Sequence, residues 1–240
     1  MATELRYAAT TDVGLVREVN EDAYVAAPPV FAVADGMGGH AGGDIASSIV
    51  VEEFARLADH TFDRAGAEQA AVEALLRSQV RISEYAGGRV GRAAPGTTLV
   101  AAILVESSWL VVNLGDSRAY RLSGDDLVQV SRDHSLVQDL LDAGDITEAE
   151  VADHPERHVI TRALGGPGFT EPDLFWVDLA DADRLLLCTD GVNGFVDDTH
   201  IGWVLVAESD PAGAAAALVA AALDAGGEDN ATAVVVDVVG

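Results

Sequence analysis

The chain has 240 residues, with 40 Asp and Glu against 14 basic residues, all of them Arg, and a formal net charge of −26 at pH 7. Apolar residues make up 49%, too many for a disordered acidic chain, and a chain this long buries roughly 70% of its unfolded surface on folding. The charge argues against a nucleic-acid partner and against docking on anionic membranes; it leaves solubility, and the sharper reading that some carboxylates converge on hard divalent cations.

In chain order, a β-type run from Leu5 to Ala9 is followed by the short run Ala23-Tyr24-Val25 and by Val30 to Ala34. Ile45, Ala46, Ile49, Val50, Phe54 and Leu57 then recur at helical spacing, as do Ala67, Ala70, Ala71, Ala74, Leu75, Ser78 and Ile82. Strand patterns return at Leu99 to Val105, Trp109 to Leu114, Ala119 to Leu122 and Leu127 to Val130, joined by turn signals at Ser107-Ser108 and Ser123 to Asp126. Residues 136–168 are irregular and glycine-rich, and read as a surface insertion with one or two short helices. Strands follow at Leu174 to Leu179 and Arg184 to Cys188. A helix runs from Thr199 to Ala207, and a second starts at Pro211, suited to a first turn, and reaches Leu223 before the last strand, Ala231 to Val238. Consecutive hairpins mean antiparallel sheet, and the paired helices must cover its apolar faces: an α+β layered architecture in one domain, 1–240.

The single cysteine, Cys188, ends the run Leu185-Leu186-Leu187 and reads as a small core residue. No apolar run reaches membrane-span length. Acidic Glu4 and the lack of a basic segment before an apolar one give no signal peptide, so a cytoplasmic location is expected.

The acids fall in a pattern. Phe31-Ala32-Val33-Ala34 ends in Asp35-Gly36, Leu185 to Thr189 ends in Asp190-Gly191, and Val111 to Leu114 ends in Gly115-Asp116. The last strand is entered through Asp229-Asn230, and Asn20-Glu21-Asp22 precedes Ala23. Each Asp-Gly alone is an ordinary turn. Together they place carboxylates at the ends of apolar strands, where they repel one another unless a cation sits among them. All-oxygen ligands select Mg²⁺, Mn²⁺ or Ca²⁺ over zinc, and the bare Gly36 carbonyl is a further hard ligand. Gly36-Met37-Gly38-Gly39-His40-Ala41 matches a dinucleotide fingerprint, but no second strand with its acid follows about 20 residues on, so the context fails.

Eight motifs occur in order: Arg17-Glu18-Val19-Asn20-Glu21-Asp22, Ala34 to His40, Gly96-Thr97-Thr98, Gly115-Asp116-Ser117-Arg118, Arg132-Asp133-His134-Ser135, Thr161 to Gly165, Thr189-Asp190-Gly191 and Asp229 to Thr232. Singly each is weak; the ordered set resembles the type 2C family of metal-dependent protein serine/threonine phosphatases, most of all its bacterial, kinase-opposing members. The resemblance covers about Arg6 to Val238. It implies a four-layer α-β-β-α sandwich, two antiparallel sheets flanked by helix pairs, with a flap at about 136–168. It implies two Mn²⁺ or Mg²⁺ ions in the core site and a third, looser one. Asp35 would bridge the pair, with the Gly36 carbonyl on one ion and Asp190 and Asp229 on the other. Asp22 and Glu21 would lie in or just behind this set, Asp116 would help hold the third ion with Asp190, and Arg17 would bind the substrate phosphate.

The implied reaction is in-line attack of hydroxide on phosphoserine or phosphothreonine, releasing inorganic phosphate without a phosphoenzyme. Many animal members carry a His directly after the Asp-Gly; that slot is Met37 here, so His40 is the substitute for the proton donor. His134 reads as structural, and His60, His154, His158 and His200 as surface or satisfied residues. The implied partners are phosphorylated Ser/Thr proteins, protein kinases among them, for a monomeric enzyme. Three readings compete: a catalytically dead phosphoprotein reader, the related branch acting on regulators of sigma factors, and the dinucleotide site already set aside.

Overall fold

The computed structural model describes residues 4–38, 42–87, 94–151, 153–181 and 183–239. Two five-stranded antiparallel sheets pack face to face. The first contains β1 (Glu4–Asp12), β12 (Ala231–Val239), β11 (Arg184–Cys188), β8 (Arg118–Ser123) and β9 (Asp126–Gln129), in that order. The second runs β10 (Asp173–Asp178), β7 (Ser108–Leu114), β6 (Leu99–Val105), β3 (Val30–Ala34) and β2 (Ala23–Ala27). A small ribbon pairs β4 (Gly36–Met37) with β5 (Gly96–Thr97).

Three apolar layers hold the sandwich. Phe31, Val33, Val100, Trp109, Leu185, Leu187, Val234 and Val236 fill the space between the sheets. The alternate residues Val30, Ala32, Ala34, Leu99, Ala101 and Ile103 face outward, where α1 (Gly43–Ala55) and α2 (Arg64–Gly87) bury them under Phe54, Leu75 and Ile82. On the other side Leu186, Cys188, Ala233 and Val235 are covered by α6 (Asp198–Ala207) and α7 (Pro211–Asp224) through Ile201, Val204 and Leu218. This two-sided burial is why β3, β6 and β11 read as unbroken apolar runs.

The helices start where their side chains permit. Asp210 accepts from Gly213 N–H ahead of Pro211, Asp197 accepts from His200 N–H, and Ser135 accepts from Gln138 N–H. Between 136 and 168 lie α3 (Leu136–Ala143) and the single turn α4 (Glu148–Val151). That segment is tied back by the bridges Ser135–Ile160 and Thr97–Leu164. Among the described residues no helix is long and apolar enough to cross a membrane.

Candidate metal centre

Strand register brings the acids to one edge. β2 and β3 pair Ala23 with Ala34, so Asp22 and Asp35 leave the sheet at the same end. β6 and β7 pair Leu99 with Leu114, which brings Thr98 beside Gly115-Asp116. In the facing sheet Cys188 pairs with Ala233, so Thr189-Asp190 meets Asp229-Asn230. The one-turn helix α5 (Asp190–Asn193) starts at Asp190.

Backbone contacts then fix each loop. Asp35 N–H donates to Thr98 Oγ1 at 3.0 Å, while Thr98 N–H and Thr97 Oγ1 each donate to the Asp35 carbonyl at 2.9 Å. Gly36 N–H donates to the Glu21 carbonyl at 3.2 Å. A Cβ on Gly36 would collide with the carbonyls of Gly43 and Glu21, so only glycine fits between them. Glu21 N–H is taken by Asn230 Oδ1 at 2.8 Å. Asp22 Oδ2 accepts from Thr189 Oγ1 at 2.8 Å and Thr232 Oγ1 at 2.7 Å, two hydroxyls from the opposite sheet. Gly115, at φ 121°, turns back against Thr98 and presents Asp116.

These loops line a cleft of about 790 Å³ into which Glu21, Asp35, Gly36, Asp116, Asp190 and Asp229 all face. Nine carboxylates and three arginines line it, so the cleft itself is strongly negative. Burial holds the Asp35 carboxyl well above the usual range, and the charges of Asp190, Asp22, Asp116 and Asp229 add to that. Burial also raises Asp116, with Asp190 and Asp133 as its main charged neighbours. It raises Asp190, reinforced by Asp229 and opposed by a hydrogen bond to Asp35 and by His158 and Arg17. Asp22 is pushed up to about 7 by burial, against its two threonine hydrogen bonds. Buried oxygens of Asp22, Asp116 and Asp190, all Oδ1, have no hydrogen-bond partner.

Buried carboxylate oxygens without a partner, among other carboxylates, carry a large penalty that a cation removes. The donor set is all oxygen, and it fits a hard divalent ion. Among the described residues no three His, Cys, Asp or Glu side chains form a ready-made cage. Mg²⁺-type sites use one or two carboxylates and keep several waters, which suits this open arrangement.

Arg17 lies at the mouth and donates from Nη2 to Asp229 Oδ2 at 2.8 Å, with half its side chain exposed. That bond, with the charges of Asp229, Asp35 and Asp190, raises its pKa further. One guanidinium edge therefore stays open to a second anion. His40 lies outside the described residues.

Sequence reasoning gave no role to several residues that shape the site. Thr97 and Thr98 grip the Asp35 backbone; the motif was visible, but uncharged hydroxyls signal no chemistry on their own. Arg118 lines the cleft, with Nε and Nη2 on Asp133 at 2.7–3.0 Å and Nη1 on Tyr120 Oη. His158 is exposed, in line with its surface reading, and it also lines the cleft, where its field reaches Asp190. His134 is fully buried, and Gly115 N–H donates to its Nδ1 at 3.1 Å. Its Nε2 must then carry the proton, donated to Asp173 Oδ2 at 3.2 Å. It ties the Asp116 loop to the base of the 136–168 segment, since Thr161 N–H also donates to the His134 carbonyl. Cys188 is buried, and burial pushes its thiol up to about 12.

A family model described as protein phosphatase 2C matches residues 16–225. A serine/threonine phosphatase stp of Listeria welshimeri is 37% identical over 237 residues, covering 95% of this chain and 93% of that protein. The serine/threonine protein phosphatase PstP of Mycobacterium tuberculosis is 41% identical over 247 residues, covering 98% of this chain but 45% of the longer relative. The crystal structure of the catalytic domain of a PstP in complex with two manganese ions superposes with a TM-score of 0.87 at 37% identity, covering 100% of both chains.

Proposed function

The chain belongs to the protein phosphatase 2C family, and from that premise we propose that it is a Mn²⁺- or Mg²⁺-dependent phosphatase of phosphoserine and phosphothreonine proteins. The observation that carries this reading is the convergence of Asp22, Asp35, Asp116 and Asp190 at one end of the sandwich, all with raised pKa values and three of them, Asp22, Asp116 and Asp190, with an unpaired buried oxygen.

In this reading Asp35, the Gly36 carbonyl, Asp190 and Asp229 hold two ions. Glu21 and Asp22 support them, and Asp116 with Asp190 takes a third. When bound, such ions acidify water to a nucleophile at neutral pH and neutralise the phosphoryl oxygens. The chain's own residues do the rest. Asp22, clamped by Thr189 and Thr232, presents its free oxygen from behind the cleft. The Thr97-Thr98 grip fixes where the Asp35 carboxylate and the Gly36 carbonyl stand. Arg17 offers a planar, permanently charged fork to two phosphate oxygens and is held in place by Asp229. His40 keeps the role of proton donor to the leaving alkoxide. The 136–168 segment, which brings Glu148, Arg157 and His158 to the cleft, is the flap that meets the substrate protein.

The wider reading is a single catalytic domain, monomeric, cytoplasmic and in signalling, that opposes serine/threonine protein kinases and counts them among its substrates. The single-domain part is supported by the coverage of the bacterial stp relative, 93% of that protein. The test is Mn²⁺-dependent release of phosphate from p-nitrophenyl phosphate and from a phosphothreonine peptide, abolished by EDTA and restored by Mn²⁺. A well-folded protein that releases no phosphate in millimolar Mn²⁺ would instead support the phosphoprotein reader.

A further inference from the structure

The loop 13–20 exposes three large apolar side chains within five residues: Leu15 is 72% exposed, Val16 66% and Val19 57%. Elsewhere among the described residues Trp203, at 65%, and Val80, at 56%, are comparably open. Single exposed apolar residues need no explanation, but a cluster rimmed by polar groups marks a contact surface.

This loop is not loose chain that failed to bury its side chains. Asn230 Nδ2 donates to the carbonyls of Val13 at 2.9 Å and Val19 at 3.0 Å, fastening both ends of the loop to the strand-entry turn. Leu15 N–H donates to the Gly227 carbonyl at 2.7 Å, and Asn20 Nδ2 donates to Thr11 Oγ1 at 2.8 Å. Gly14, at φ 80°, lies so close to the Asp229 and Gly227 carbonyls that a Cβ would collide with both. The backbone is thus held rigidly against residues 227–230 while the apolar side chains stand in solvent. In their midst Arg17 points the other way, into the cleft and onto Asp229.

The geometry points to a substrate-docking collar: Val16 and Val19, with Leu15, receive an apolar side chain of the phosphoprotein substrate close to its phosphorylated residue. The inference rests on the phosphatase reading of the cleft. The occupant follows from continuity with that cleft. A phosphoresidue that reaches Arg17 carries its neighbours across this collar, and a rigid surface needs little ordering on binding. The three side chains of the collar are apolar and are rimmed by Arg17 and the exposed Glu18, so an apolar neighbour of the phosphoresidue gains most from it.

The test uses two phosphothreonine peptides of equal charge, one with Leu and Val beside the phosphoresidue and one with Ser and Asn. The variant is Val16→Ser/Val19→Ser; Leu15 is left intact because it also leans over Gly227 beside Leu223. Wild-type protein should favour the apolar peptide in kcat/KM by roughly fivefold to tenfold, from partial burial of one aliphatic side chain. The double variant should lose that preference through KM, with kcat and p-nitrophenyl phosphate turnover unchanged. Equal use of both peptides by the wild type, or a preference that survives in the variant, overturns the inference. So does a wild-type dimer in sedimentation that the variant dissolves, because the collar is then a self-association face. Absence of p-nitrophenyl phosphate turnover in the wild type instead removes the phosphatase reading, and the inference falls with it.

Discussion

The stability of the metal-free protein should fall as pH rises, and Asp22 sets the scale. Its carboxyl moves from 3.8 in the open chain to about 7 in the folded protein. The unfolded chain gives up this proton first, so folding in the absence of cations must retain a proton that the solvent favours releasing. The contribution is zero below about pH 4 and grows to its full size as pH passes through the folded pKa. At pH 5 the penalty is about 2 kcal/mol and at pH 7.5 about 4 kcal/mol, at 1.36 kcal/mol per unit. Asp22→Asn removes it: the Asn Oδ1 still accepts from Thr189 and Thr232, and its amide takes the place of the unpartnered oxygen. In EDTA at pH 7.5 the variant should melt several degrees above the wild type, at roughly 2–4 °C per kcal/mol for a chain of this size. The gain should shrink at pH 5. With saturating Mn²⁺ the order should reverse, because the wild type gains ligand-linked stability, roughly 2.7 kcal/mol at a hundredfold excess over Kd, that the variant lacks in part. Calorimetric melts at the two pH values, with EDTA and with Mn²⁺, check all three. A variant less stable than wild type in EDTA at pH 7.5 would refute the argument that Asp22 is a buried, strained charge awaiting a cation.

Asp35→Asn should abolish Mn²⁺-dependent hydrolysis while leaving the fold intact by circular dichroism, because it removes the carboxylate hydrogen-bonded to Asp190. Arg17→Ala should raise KM for a phosphopeptide roughly tenfold or more, the loss of a charge-assisted bond, with a smaller change in kcat; steady-state kinetics separates the two. His134→Leu removes the acceptor for Gly115 N–H and the donor to Asp173. It should cost about 1–3 kcal/mol of stability, the penalty of an unpaired buried donor, and raise the Mn²⁺ concentration needed for half-maximal activity. His134→Asn, which keeps an acceptor near the Nδ1 position, should recover part of the Mn²⁺ response.

Much of this fold was legible because helices and strands differ in period. The spacing of Ile45 to Leu57 and of Ala67 to Ile82 predicts helices, and α1 and α2 lie there. The strands were legible for a different reason. β3, β6 and β11 are apolar on both faces, one set meeting the opposite sheet and the other the helices. They therefore show no alternation, and the turn residues that bound them set their limits. The carboxylates were legible as a list, since an acid after an apolar run stands out. Their meeting in space was not, because it depends on register: Ala23 against Ala34 and Cys188 against Ala233 are non-local pairings no local pattern encodes. For the same reason Thr189 and Thr232, which stand in two of the sequence motifs, show there no sign that they hold Asp22. His158 is exposed, as its sequence context suggests, but its place in the cleft depends on how the 136–168 segment folds back, through the Ser135–Ile160 bridge, and no local pattern encodes that.

Anomalous diffraction from crystals of this protein grown with Mn²⁺ would locate the metal sites outright. Two strong manganese peaks are expected in the cleft, one shared by Asp35 and the Gly36 carbonyl, the other by Asp35, Asp190 and Asp229, with a weaker peak beside Asp116. Peaks elsewhere on the surface, or a cleft with no manganese at a concentration that supports turnover, would contradict this assignment.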